Sequence, residues 1–169
     1  TITTIANSVF YQCSSLISIT IPENVVSIGE NAFYYCSSLT SITIPKSVTS
    51  IGDGALAYCS GLTSINVEDG NTKYDSRGDC NAIIQTRINN LIAGCSTTII
   101  PEDITSIGNY AFSAKHNLTS ITIPNKVTSI GNDAFYQSVK SFYFWGSAPV
   151  VTACAEDTRS FEADAVLYY

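Results

Sequence analysis

Polar and apolar residues alternate along this chain in short bursts that return every 23 positions. Within residues 39–45, Leu39, Ile42 and Ile44 fall on one side of an extended segment, Ser41 and Thr43 fall on the other, and Pro45 closes it. Such alternation predicts a short strand with one buried face, and proline, which cannot donate to a ladder, marks where pairing stops. Val48 and Ile51 make a second extended apolar pair. Gly52 permits a corner, and the Ala-Phe pair at this place in each copy reads as about one turn of helix. Pro22 and Pro45, Pro101 and Pro124, Phe10 and Phe33, Phe112 and Phe135, and Cys13, Cys36 and Cys59 all keep the 23-residue spacing. One frame fits 5–27, 28–50, 51–67, 107–129 and 130–145, the last shortened by two residues before Phe142.

No such unit buries its own apolar side. Stacking units at the strand spacing of about 4.8 Å closes the Leu, Ile, Val and Phe columns into one continuous core and leaves Ser/Thr columns outside. The recurring Ile-Gly-x-x-Ala-Phe-x-x-Cys-x-x-Leu-Thr-Ser-Ile-Thr-Ile-Pro-x-x-Val-Thr-Ser resembles the BspA-type leucine-rich repeat over nearly the whole chain. That family occurs in surface proteins of Bacteroides-type bacteria and of trichomonad parasites. The resemblance implies a leucine-rich-repeat solenoid, a right-handed superhelix rich in β-structure with short helical turns and about five 23-residue rungs. It also implies display outside the cell and adhesion to host or bacterial partners.

The frame is interrupted twice. Pro45 and Pro101 are 56 residues apart, two periods plus ten, and the surplus falls in 66–100. Ala82-Ile83-Ile84 and Leu91-Ile92-Ala93 read as two strands around a loop near Arg87–Asn90, so this repeat is enlarged by an inserted β-hairpin. After Trp145 the frame dissolves, and Val166–Tyr169 reads as a closing strand. The expected organisation is a single domain over 1–169: regular repeats through 65, the enlarged repeat over 66–100, regular repeats over 101–145 and a C-terminal cap over 146–169. Thr1–Ile5 starts in mid-repeat, so the N-terminal edge is expected to be exposed, as in a piece of a longer array or a chain that self-associates through that edge.

Composition narrows the function classes. Of the 169 residues, 45% are apolar and only 13% charged, so the chain is not disordered and its surface is polar without being charged. With 14 acidic and 8 basic residues the net charge is −6, which argues against nucleic acid. No apolar run reaches the length of a membrane-spanning helix. The chain contains no Met, as expected of a processed product whose signal peptide is gone.

Candidate chemistry is sparse. Cys13, Cys36 and Cys59 share one column, with Lys115 and Ser138 in that column later. One thiol per rung makes a line rather than a tetrahedron, so buried free thiols are expected and no metal site. Cys80 and Cys95 flank the hairpin and face each other when Ile84 pairs with Leu91, which leaves a disulfide open there. His116, the one histidine, lies in a turn, no nucleophile or phosphate-loop motif occurs, and neither enzyme activity nor a cofactor is expected. Glu68-Asp69-Gly70-Asn71 lacks the alternating ligands of a calcium loop. Arg77-Gly78-Asp79 is similar to the integrin-recognition tripeptide, although it also sits where a turn is needed.

The outward columns of the sheet are the broader candidate: Ser41, Thr43, Ser64, Asn66, Ser120 and Thr122, giving way to Tyr143 and Trp145 at the last rung. The two aromatics either pack beneath the cap or form a binding hot spot. The expected function is a non-catalytic, extracellular or cell-surface protein-interaction module. Its partner would be a host extracellular-matrix or cell-surface glycoprotein, or a bacterial protein. The alternatives are a structural spacer in a larger surface protein and a glycan-binding accessory module that uses Tyr143 and Trp145.

Overall fold

The 23-residue period becomes strand register. The computed structural model describes residues 2–146, 150–151 and 166–168. Its strands are β1 (Thr4–Ile5), β2 (Ser27–Ile28), β3 (Ser41–Ile44), β4 (Ser50–Ile51), β5 (Ser64–Val67), β6 (Tyr74–Asp75), β7 (Ala82–Gln85), β8 (Asn90–Gly94), β9 (Ser106–Ile107), β10 (Ser120–Ile123), β11 (Ser129–Ile130), β12 (Ser141–Phe144), β13 (Val150–Val151) and β14 (Val166–Tyr168). Each regular strand pairs in parallel with its copy one period on: Thr4 opposes Ser27, Ser27 opposes Ser50, and Ser41 opposes Ser64. The chain is a leucine-rich-repeat solenoid of about six turns. Most of the expected cap lies outside the described residues. Of that segment, β13 extends the β9–β11 ladder and β14 pairs with β12.

The corner after each glycine is not helical. The one helical element among the described residues is a 3-10 turn at Arg77–Asp79. Alternate residues explain why. Tyr34 and Cys36 close local turns onto Asn31 and Phe33, whereas Asn31, Phe33 and Tyr35 donate to Asp53, Ala55 and Ala57 of the next rung at 2.9–3.0 Å. Aiming every second N–H along the stack requires positive φ at Asn31 (53°) and Tyr35 (62°), and the same holds at Ser8 and Gln12, Tyr110 and Ala114, and Asp133 and Gln137. A side chain in that conformation costs roughly 1–2 kcal/mol. The inter-rung bonds and the stacked Phe10–Phe33 and Phe112–Phe135 rings, 5.3 and 5.0 Å apart, offset it.

The inserted hairpin is a partition, not an excursion. β7 and β8 are antiparallel, with Ile84 opposite Leu91. Ile83 and Ala93 pack into a core formed by the first three rungs, while Ala82, Ile84 and Leu91 pack into a second core formed by the later ones. β8 joins the solenoid beside β9, with Asn90 opposite Ser106, and then continues as far as Gly94. Ser96 and Thr97 bond to Leu62 and Thr63 of the third rung. This rung therefore reaches the Leu62 position without making a corner. Gly94 is required there: a Cβ would sit 2.2 Å from the Phe112 ring.

Lys115 bridges the corners that this shortcut separates. Its side chain is buried and its Nζ donates to Cys59 O at 3.1 Å and Leu56 O at 3.5 Å. Burial pushes the amine below its ordinary pKa, while the Cys59 and Cys95 thiols act weakly the other way.

Gly94→Ala should cost about 1–3 kcal/mol in urea unfolding by overpacking against Phe112, and Phe112→Leu should recover part of the loss. An unchanged midpoint would contradict the close approach. Between the lowered folded pKa and the unfolded value near 10.5, the unfolded chain binds more protons at Lys115 than the folded chain. The associated stability is therefore full above 10.5 and is lost as pH falls toward the folded pKa. Relative to Lys115→Met, the native chain should gain stability as pH rises toward 10.5, and a flat difference would count against a lowered folded pKa.

Candidate functional site

The outward positions of the strands alternate with core positions, so they form a face by register alone. Ser41, Thr43, Ser64 and Asn66 are exposed on β3 and β5. Ser120 and Tyr143 are exposed and Thr122 half-buried on β10 and β12. The structure does not join them into one sheet. β3–β5 forms one ladder and β10–β12–β14 another, and the enlarged repeat passes between them.

That crossing supplies a residue the column reading missed. Counted back from its proline, Thr97-Thr98-Ile99-Ile100-Pro101 matches Ser120-Ile121-Thr122-Ile123-Pro124, which puts Ile99 in the outward column. Ile99 is 77% exposed, the largest value among the exposed large apolar residues described. Together with Ile100, Pro101, Ser120, Thr122 and Trp145 it lines a groove of about 430 Å³. Trp145, 59% exposed, is held by its main-chain N–H, which donates to Ile123 O at 3.1 Å. Tyr143 stacks on Tyr168 of β14, with centroids 4.7 Å apart. The two aromatics thus part company: Tyr143 packs on a neighbouring ring and Trp145 faces the groove.

The Arg77–Asp79 turn lies elsewhere. The Arg77 guanidinium bonds both carboxylate oxygens of Asp75, at 2.7 and 2.8 Å, and also Asn89 and Asp103. Burial pushes the Asp75 carboxyl up, but the hydrogen bonds from Arg77 and Thr86 hold it below its usual pKa. Gly78 and Asp79 have φ of 63° and 54°, and the Asp79 side chain is exposed. The arrangement pins the insertion to the segment between Pro101 and β9, and its guanidinium is already engaged within the chain.

The cysteines are structural. Cys36 and Cys59 send their thiols to Phe10 O and Phe33 O of the preceding rung, at 3.2 and 3.1 Å. Burial pushes the Cys36 thiol up to about 12. Cys80 and Cys95 are free thiols despite the pairing of Ile84 with Leu91, and Cys154 lies outside the described residues. Tyr11, Tyr34, Tyr58 and Tyr136 touch ring to ring from rung to rung, and burial raises the hydroxyl pKa of Tyr34 and Tyr58. Asn71 is spent on the main chain, donating to Pro45 O and Val48 O and accepting from Lys73 and Tyr74. Among the described residues no three metal-ligating side chains converge.

The profile of the BspA type leucine rich repeat region matches residues 1–93 and 90–145, six copies in all. The chain belongs to this family. BspA-type repeats are typically scaffolds without catalysis, associated with cell surfaces and suited to protein interaction. A leucine rich cell surface protein from Faecalibacterium prausnitzii shares 29% identity over 83% of this BspA-type chain, with a TM-score of 0.69. The pneumococcal vaccine antigen PcpA shares the fold at 18% identity over 74% of the chain, with a TM-score of 0.61. The chain spans 41% and 44% of the lengths of those two proteins. No curated protein matches it. No helix among the described residues is long and apolar enough to cross a membrane.

A thiol reagent applied to the native chain should label Cys13, which is exposed, and spare Cys36, Cys59, Cys80 and Cys95 until unfolding. Peptide mapping by mass spectrometry reads the order. Early labelling of Cys36 or Cys59 would contradict the column.

Proposed function

We propose that this chain is a non-catalytic module, displayed at the cell surface or secreted, that binds a protein partner through the sheet face around Ile99 and Trp145. The observation that carries the reading is the exposure of these two large apolar side chains beside one groove, on a face whose outward columns are mostly Ser, Thr and Asn, with Tyr143 beside them. Exposed aromatic and aliphatic anchors in a polar setting mark binding hot spots. The partner fits a host extracellular-matrix or cell-surface glycoprotein: the Ser/Thr columns offer neutral hydrogen bonding and no charged patch to select a polyanion. The adhesive role of the whole protein rests on the same reading.

Sequestration of the Arg77 guanidinium by Asp75, Asp103 and Asn89 favours this face over the Arg77–Asp79 tripeptide, because an integrin-type receptor would have to displace those partners. A panel of matrix glycoproteins tested against immobilised chain discriminates the readings. Ile99→Asp and Trp145→Ala should each weaken binding by about tenfold or more, the scale of a hot spot, while Arg77→Ala leaves attachment intact and lowers stability. Saturable binding indifferent to Ile99 and Trp145 would contradict the assignment. Loss on Trp145→Ala alone, with retention of polysaccharide by the native chain, would move it to glycan recognition.

A further inference from the structure

A cavity of about 320 Å³ lies between the corners of the third and fourth rungs, on the side away from the Ile99 groove. It exists because the intervening rung has no corner. In the first, second and fourth rungs, alternate corner residues donate their N–H to carbonyls one rung on, as Phe10 does to Ala32, Phe33 to Ala55 and Phe112 to Ala134. The register equivalents in the third rung are Gly54, Leu56 and Tyr58, and their N–H groups have no acceptor among the described residues. Gly54 and Leu56 line the cavity. The opposite wall is the fourth corner, where Asn109 offers a main-chain carbonyl that no described N–H takes up. Donors on one wall and an acceptor on the other are what a missing length of main chain would join.

Side chains at this level are smaller than their counterparts on neighbouring rungs. Gly54, Leu56 and Ala57 stand where the second rung has Asn31, Phe33 and Tyr34, and Ser113 stands where the fifth has Tyr136. Side chains span the gap: the Asn109 amide donates to Asp53 at 3.2 Å, Lys115 reaches Leu56 and Cys59, and the Tyr58 ring meets that of Tyr136 on the fifth rung, centroids 6.2 Å apart. The volume lies near the lower end of small-molecule sites, about 300–1,000 Å³.

We propose that this cavity is a second binding site, which takes a short, extended peptide of small residues as a substitute for the absent corner. Carbonyls at alternate positions of the peptide accept from Gly54 and Leu56, and a peptide N–H donates to Asn109 O. Ile88, Ile92 and Ile107 supply the apolar lining. Strand addition of this kind draws affinity from the main chain and selectivity from the space left for side chains.

Titration of the 15N-labelled chain with N-acetyl-trialanine methylamide tests the proposal. The amide resonances of Gly54 and Leu56 should shift and saturate at millimolar peptide, with intermolecular NOEs to the alanine methyls. Those of Asn31 and Phe33, already bonded, should hold still. Ser106→Phe, on the cavity wall, should abolish the shifts while its unfolding midpoint confirms the fold. No saturable shift at Gly54 and Leu56 would mean a cavity filled by water only and would overturn the proposal. Unchanged shifts in a folded Ser106→Phe chain would overturn it equally. For a Ser106→Phe chain that fails to fold, the NOEs in the native chain decide.

Discussion

The structure depends on one hydrogen-bonding constraint: every second N–H of each corner points along the stack. A corner built this way cannot be helical, because its donors leave the segment, and it forces side-chain-bearing residues such as Tyr35 and Tyr110 into left-handed backbone. The conformation is tolerable only when the next rung presents carbonyls in register. Regularity of the 23-residue period is thus a condition of stability and not a by-product of duplication. The same bonds place Phe on Phe and aim each column thiol at the carbonyl behind it.

Where the period fails, the structure shows what replaces it. The enlarged repeat keeps its strand positions and omits its corner. The core divides around β7, whose successive residues Ala82, Ile83 and Ile84 are buried on both faces. Lys115 takes over from a thiol because a longer reach is needed to tie two corners that are not bonded main chain to main chain. A buried amine is an expensive solution unless bonded, and its two carbonyl acceptors meet that requirement. Arg77 does the corresponding job at the surface by tying Asp75 to Asp103.

Most of the fold was legible because strand alternation and proline stops repeat without ambiguity, and the hairpin could be placed from Ala82–Ile84 and Leu91–Ala93. The helical corner was misread because Ala-Phe in isolation favours a helix, and only the inter-rung acceptors decide otherwise. The split of the sheet face was hidden for a related reason. A column drawn from Ser41 to Thr122 assumes unbroken stacking, whereas Thr97–Pro101 enters as an additional unit. Aligning on Pro101 exposes Ile99 from sequence alone. The bonding of Arg77 to Asp103 was not accessible, since the residues are 26 apart with no repeat relation to pair them. Lys115 was seen as an exception in the cysteine column, but the cavity that it borders required the shortcut of β8 to be known.

The proposed function and the proposed second site rest on two different faces. The sheet face presents Ile99 and Trp145 over a Ser/Thr ground, which suits a protein surface, and the corner side carries an interrupted ladder with its own donors. Both features trace to the same surplus of residues in 66–100. The central claim is that inter-rung bonding holds the corners of the first, second and fourth rungs and is missing at the third. Native-state hydrogen exchange, resolved by residue, tests it most directly. The amides of Phe33 and Phe112 should exchange only with large-scale unfolding, while that of Leu56, buried at the same register position, exchanges far faster. Equal protection at all three positions would contradict the account.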